Sequence, residues 1–292
     1  VGVAANATIS GSGEMAISGS GTGAGVTNDI SNVIKAGAVN NSEIKETGYI
    51  EINATNSATI SSDVVAASAT AAVGSDGAIA FNVVASVADN TIDTVTQALL
   101  ENSTADTTGT LNLIALASGS ISVTGTAAAL TLAAGSGDIN VGASVTVAVV
   151  TNTIDGLVEA VIRNTTADID AGDTTIKATN STSIDATTTG VSVALSGGSG
   201  TLAFSASVAV ALATNDIGTA VTSGIINSTL NSTGFVDIDV VSSSTINATT
   251  TAASVSVTAS SGDFAGAISG AGAKSVNITS GVSRALISQS TV

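Results

Sequence analysis

One phrase recurs along this chain at intervals near 62 residues, and that interval limits what the chain can fold into. It reads TNDISNVIKAGAVNNSEI from Thr27, DNTIDTVTQALLENSTA from Asp89, TNTIDGLVEAVIRNTTA from Thr151 and TNDIGTAVTSGIINSTL from Thr214. The leading asparagines, Asn28, Asn90, Asn152 and Asn215, are 62, 62 and 63 residues apart. Twelve residues later each copy has a second asparagine: Asn40, Asn102, Asn164 and Asn227. A turn glycine (Gly48, Gly109, Gly172, Gly234) and an isoleucine (Ile60, Ile121, Ile184, Ile246) keep nearly the same spacing. A fifth, partial copy, SVNITSGVSRALISQSTV, aligns with Asn277 in the place of Asp216 and Ser288 in the place of Asn227. Four landmarks holding one period identify a repeat array, whose units bury their faces against their neighbours. The 292 residues make about 4.7 repeats, a single continuous array over 1–292 with partial repeats at both ends. Natural arrays carry polar capping repeats, so the expectation is an excerpt of a longer protein.

Within a repeat the dominant period is two. In TLAFSASVAVALATN the residues Leu202, Phe204, Ala206, Val208, Val210 and Leu212 alternate with small or polar ones. The matching DINVGASVTVAVVTN gives Ile139, Val141, Ala143, Val145, Val147 and Val149. Such alternation is the signature of a half-buried strand. A shorter alternating run leads into a Ser/Gly corner at 191–200 and again at 130–137. The phrase from Thr151 is ambiguous alone. Ile154, Leu157, Val158, Val161 and Ile162 would share one face of a helix, whereas Ile154, Gly156, Val158, Ala160 and Ile162 alternate as in a strand. The sister copy Ile217, Thr219, Val221, Ser223, Ile225 favours alternation, so the phrase reads as a strand.

Each repeat then offers about four strands: one of about nine residues after the first asparagine, a short VDIDV-type strand, and two long ones. Stacking the repeats in register pairs every strand with its copies above and below and satisfies the backbone. The chain has no proline, where ordinary usage gives about 15; every internal strand needs its N–H. The fold expected is all-β, a β-solenoid of stacked parallel β-helix-like coils, with one wide coil per repeat. At ~4.8 Å per coil the array would be ~23 Å thick, against ~70 Å if each repeat were three narrow coils. Inward residues of mostly Ala, Val, Ser and Gly imply a flattened section. The aligned Asn28, Asn90, Asn152 and Asn215 predict a stacked amide ladder at strand ends, structural and binding nothing.

Composition removes several function classes. The chain has no His and no Cys. It therefore has no ordinary zinc, copper, haem or iron–sulfur site and lacks the common nucleophile–base pairs. The reading is a non-enzyme without cofactor. Six Lys plus Arg face 22 Asp plus Glu, a net charge of −16, which disfavours nucleic acid and anionic membranes. No window approaches the ~18 apolar residues of a membrane span, so no membrane insertion is expected. Absence of cysteine fits a secreted protein. ADIDAGD groups Asp168, Asp170 and Asp173 like half a calcium loop, but it lacks the closing bidentate Glu. It is a weak calcium candidate beside the plainer reading of a solvated acidic corner. Asn-x-Ser/Thr occurs ten times. Of these, Asn102, Asn164 and Asn227, at exposed corners, are the candidate glycosylation sites.

The stretch SVAVALATNDIGTAVTSGIINSTLNSTGFVDIDVVSSSTINATTTAASVSV resembles the repeats of giant haemagglutinin- or leukotoxin-type exoproteins of Gram-negative bacteria. There, alternating Ala/Val strands, an Asn, a second strand and a V-x-V-x-A segment recur many times. The resemblance spans the whole chain and rests on a pattern of small residues. It implies a secreted, cell-surface stalk or filament that holds adhesive parts away from the cell. The function expected is therefore structural: an extracellular fibre or stalk segment of a cell-surface adhesin or self-assembling filament. Its partners would be copies of itself along the fibre axis and a host or cell-surface glycan or protein. The alternative is a glycan- or ice-binding face on a flat solenoid, which ranks of Thr-x-Thr would support. DATTTG from Asp185 and NATTTA from Asn247 supply that pattern in two repeats.

Overall fold

The computed structural model describes residues 1–46, 48–169 and 172–292, and its regular elements are all strands. Strands β1 (Gly2–Ser12), β4 (Ile50–Gly74), β7 (Leu111–Gly135), β10 (Thr174–Gly198) and β13 (Val236–Ser260) form a first sheet in that order. Strands β2 (Met15–Val39), β5 (Gly77–Glu101), β8 (Ile139–Arg163), β11 (Leu202–Ile226) and β14 (Phe264–Ser288) form a second. The short strands β3 (Glu43–Glu46), β6 (Thr104–Thr107), β9 (Thr166–Ile169) and β12 (Thr229–Ser232) close a third side. Every pairing is parallel, and one circuit of the three sides advances one repeat: Asn90 lies opposite Asn152, and Asn152 opposite Asn215. The fold is a β-solenoid with one wide coil per repeat.

The repeat holds three strands rather than four, and the two long ones run 25 residues each. Two sequence features concealed this. The landmark Asn152 does not end a strand; it sits in the middle of β8 and is paired on both sides. In β10 the polar run from Lys177 to Thr189 stays extended because each residue has a partner in β7 and β13. The phrase from Thr151 continues β8 to Arg163, so it is strand and not helix. At the last copy the alignment shifts by one: Asn277 pairs with Asn215, and Gln289 takes the corner place of Asn227 with φ 50°. The last strand has the same 25 residues as the others, and the chain keeps a full period there.

Small differences in repeat length fall in the corners. Asn40, Asn41 and Ser42 link β2 to β3, whereas Asn102 and Ser103 link β5 to β6. Ser75 and Asp76 link β4 to β5, whereas Ser136, Gly137 and Asp138 link β7 to β8. The strands between keep register over all 25 positions. Register is worth protecting, since a slip of one residue would exchange the two faces of a strand.

The cross-section tapers. At the base, beside the short sheet, Leu100, Leu111, Leu113, Ile162, Ile176, Ile225 and Leu230 are fully buried. Nearer the middle Ile92, Ile121, Ile154, Ile184 and Ile217 fill the interior. Towards the Ser/Gly tip the interior contains Ala72, Ala78, Ala80, Ala133 and Ala148, with Ser144 and Ser192 in hydroxyl contact at 2.6 Å. There the sheets come close enough for side chains to reach the opposite backbone. Ser196 Oγ donates to the Asn140 carbonyl at 2.8 Å, and Asn82 Nδ2 to the Ser68 carbonyl at 3.0 Å. Facing sheets normally sit ~10 Å apart; short side chains are what permit the tighter approach. At Gly142 even a Cβ would lie 2.8 Å from the Leu195 carbonyl oxygen.

This taper reverses the ordinary sidedness of the alternation. Near the tip the small set, Ala203, Ser205, Ser207, Ala209 and Ala211, is buried. The larger set that alternates with it, including Phe204, Val208 and Val210, faces outward. Volume decides the choice: the thin end of the wedge has no room for Phe or Leu.

Candidate functional site

The landmark asparagines form one hydrogen-bonded row inside the coil. Asn28 Nδ2 donates to Asn90 Oδ1 at 2.7 Å, Asn90 to Asn152 at 2.9 Å, Asn152 to Asn215 at 2.7 Å, and Asn215 to Asn277 at 2.8 Å. The row sits at mid-strand, at the transition between the apolar base and the small-residue tip, and not at a strand end. A row of amides there consumes its own donors and acceptors, which a buried polar group requires.

The corner asparagines have a different task. Asn102, Asn164 and Asn227 are exposed and take φ of 47°, 50° and 46°. Asn is one of the few residues that visits this left-handed region routinely, and it turns the chain sharply from the long strand into the short one. Asn227 Nδ2 also donates to Asn164 Oδ1 at 2.6 Å. The three candidate glycosylation sites are thus stacked turn residues with their amides at the surface. The sequence sign for this was present: an Asn at the end of each apolar run, where a left-handed turn residue belongs.

Of the acidic turn, Asp170 and the Asp168 side chain lie outside the described residues. Asp173 Oδ1 accepts from the Phe235 backbone N–H at 2.8 Å, so that carboxylate braces the next coil's corner. Among the described residues no group of three or more acidic side chains is placed to hold a metal ion.

Two long surfaces remain. On the outer side of the first sheet, Thr124 and Thr126 of β7 lie beside Thr187 and Thr189 of β10, which lie beside Thr249 and Thr251 of β13. The Thr-x-Thr pattern therefore stacks through three consecutive coils, with VTGT at Val123 supplying the third copy. Ser118, Ser181 and Ser243 make a parallel hydroxyl rank on the same side. Closer to the tip, both sheets instead show apolar flanks. Val73, Leu130, Leu132, Val255 and Val257 are exposed on the first sheet, and Phe81, Val83, Val87, Val145 and Val208 on the second.

Charge is separated from these flanks. Glu14, Asp76, Asp138, Thr201 and Asp263 follow one another along the tip, linked coil to coil by backbone bonds such as Asp138 N–H to the Asp76 carbonyl at 3.1 Å. On the second sheet Asp93 is the register partner of Asp155, whose carboxyl lies over Gly218 of the next strand. Partial burial, then the charges of Asp216 and Asp93, hold the Asp155 carboxyl above its ordinary range.

No family model, curated protein or solved structure matches this chain.

Proposed function

We propose that the chain is a structural segment of an extracellular, cell-surface fibre or stalk, without catalysis, as in the haemagglutinin- and leukotoxin-type exoproteins that its repeats resemble. The observation that carries this reading is the unbroken axial continuity of the coil. Long strands pair in register from β2 to β14, and five asparagines are linked in one row that is fully buried at Asn90, Asn152 and Asn215. A prism of this kind resists extension along its axis through many backbone bonds at once, each coil being held by both neighbours. The acidic tip and the net charge of −16 oppose non-specific aggregation of such fibres by mutual repulsion. The test is to locate and image the native protein. Protease added to intact cells should remove it, and electron micrographs of the released material should show thin, uniform fibres. Protection from protease until lysis, or compact particles, would sink the reading.

A second reading is favoured by one observation, the threonine grid on β7, β10 and β13. Ranks ~4.8 Å apart along the axis and roughly 6.6 Å apart along each strand present hydroxyls and methyls in a flat lattice, a surface suited to ordering water or to docking a glycan. Thermal hysteresis that vanishes in Thr187→Lys would support ice binding. Absence of both hysteresis and retention on a glycan array would remove this reading.

A further inference from the structure

We propose that the apolar flanks are contact surfaces for a second copy of this chain, the first-sheet flank of one molecule lying on the second-sheet flank of the next, so that solenoids associate side by side. The flanks are too apolar and too continuous to be chance exposure. On three neighbouring strands of the second sheet the outward positions from Ile79 to Val87, Ile139 to Val149 and Leu202 to Val210 carry no ionisable side chain. Phe81 and Val83 are 49% and 53% exposed there, and Val255 and Val257 each 49% exposed on the opposite flank. Exposed apolar patches of this extent mark interaction sites.

The relief of the two flanks fits one on the other. The first-sheet flank has a shallow, open apolar hollow of about 450 Å³ whose lining includes Ala67, Ala69, Ala128, Leu130, Val191 and Val193. The second-sheet flank projects Phe81, Val83 and Val208, side chains of a size to enter it. With β14, whose outward positions from Phe264 to Gly272 are likewise uncharged, four strands by about ten residues give roughly 20 Å by 33 Å, or about 1,300 Å² for the pair of surfaces. That reaches the ~1,200–2,000 Å² of stable interfaces. A lipid surface fits less well, because the edge that joins the flanks is lined by Glu14, Asp76, Asp138 and Asp263, and carboxylates resist entry into hydrocarbon. The contact is heterologous, so each molecule offers one flank of each kind and association can propagate. This goes beyond the fibre reading, which concerns only continuity along the axis.

Sedimentation of the whole chain, with and without flank substitutions, tests the proposal. The wild type is expected to form concentration-dependent oligomers that grow as salt screens the −16 charge. Val145→Lys with Val208→Lys on one flank, or Val193→Lys with Val257→Lys on the other, should raise the apparent Kd at least ~tenfold. Circular dichroism and the melting curve should not change. Should either lysine pair prevent folding, the matching threonine pair, which keeps the β-branched shape, takes its place and is expected to weaken association in the same direction. A mixture of the two kinds of variant should form dimers and nothing larger, since only one intact flank remains on each. The proposal is overturned by a wild type that stays monomeric up to its solubility limit. Oligomers that persist in both variants would show end-to-end pairing and overturn it too. So would self-dimers of one variant alone, or wild-type monomers that float with phosphatidylcholine vesicles.

Discussion

Asn152 donates from Nδ2 to Oδ1 of Asn215 at 2.7 Å, across 63 residues of sequence and one coil of structure. Both side chains are fully buried, and Asn152 Oδ1 in turn accepts from Asn90 at 2.9 Å. Replacing Asn152 by Leu would strand a donor on one side and an acceptor on the other. Each orphaned buried group costs about 1–3 kcal/mol, so a loss of about 2–6 kcal/mol is expected in urea denaturation. Asn277→Leu, at the exposed end of the row, breaks one bond beside solvent and should cost less than about 1 kcal/mol.

The thin end of the wedge gives a second outcome. Gly142→Ala places a methyl 2.8 Å from the Leu195 carbonyl oxygen of the opposing sheet, so the sheets must part, at about 1–3 kcal/mol. Gly21, on the outward side of β2, has open space where its Cβ would stand. Gly21→Ala should be neutral or stabilise by up to ~1 kcal/mol through the unfolded chain. A melting temperature that falls for Gly142→Ala and does not fall for Gly21→Ala would check the sidedness of the strands.

That sidedness was the part least legible in the sequence. The 62-residue period, the absence of proline and the alternation were enough for a wide-coil β-solenoid, because each reports on backbone pairing. They do not report which side of a strand is inside. Leu202, Phe204 and Val208 look like core by hydropathy, yet the interior beside them is one Ala or Ser deep. Only the distance between sheets, a tertiary quantity, decides that. For the same reason the flanks could not be read as a surface, and Thr124 and Thr126 joined the threonine grid only once β7 and β10 were in register.

Asp155 makes stability depend on pH. Its folded pKa is raised, by partial burial first and by Asp216 and Asp93 next. The folded state therefore holds this proton to higher pH than the unfolded state does. Stability is unaffected below the unfolded pKa and declines as pH rises through the raised folded value. Asp155→Asn should abolish that decline, so that its melting temperature exceeds wild type at neutral pH and converges with it in acid. Identical pH profiles for the two proteins would contradict this.

The corner residues predict a graded response to shape. Asn164 holds φ 50°, where a β-branched side chain is strained and glycine is not. Asn164→Val is expected to lose about 1–2 kcal/mol, and Asn164→Gly less, the remainder being the bond from Asn227. Denaturant midpoints in one buffer would rank the three proteins.

The number of coils per repeat can be read from one spacing. Thr124 and Thr187 are exposed register partners, and Thr249 is the next in the row. The chain has no native cysteine, so Thr124→Cys with Thr187→Cys, and Thr124→Cys with Thr249→Cys, can carry spin labels without background. One wide coil places the backbones of the first pair ~4.8 Å apart and of the second ~9.6 Å apart. The expected spectra are exchange-narrowed for the first pair and strongly dipolar-broadened for the second. Three narrow coils per repeat would separate the pairs by ~14 Å and ~29 Å, and a first pair without exchange coupling would contradict the wide coil outright.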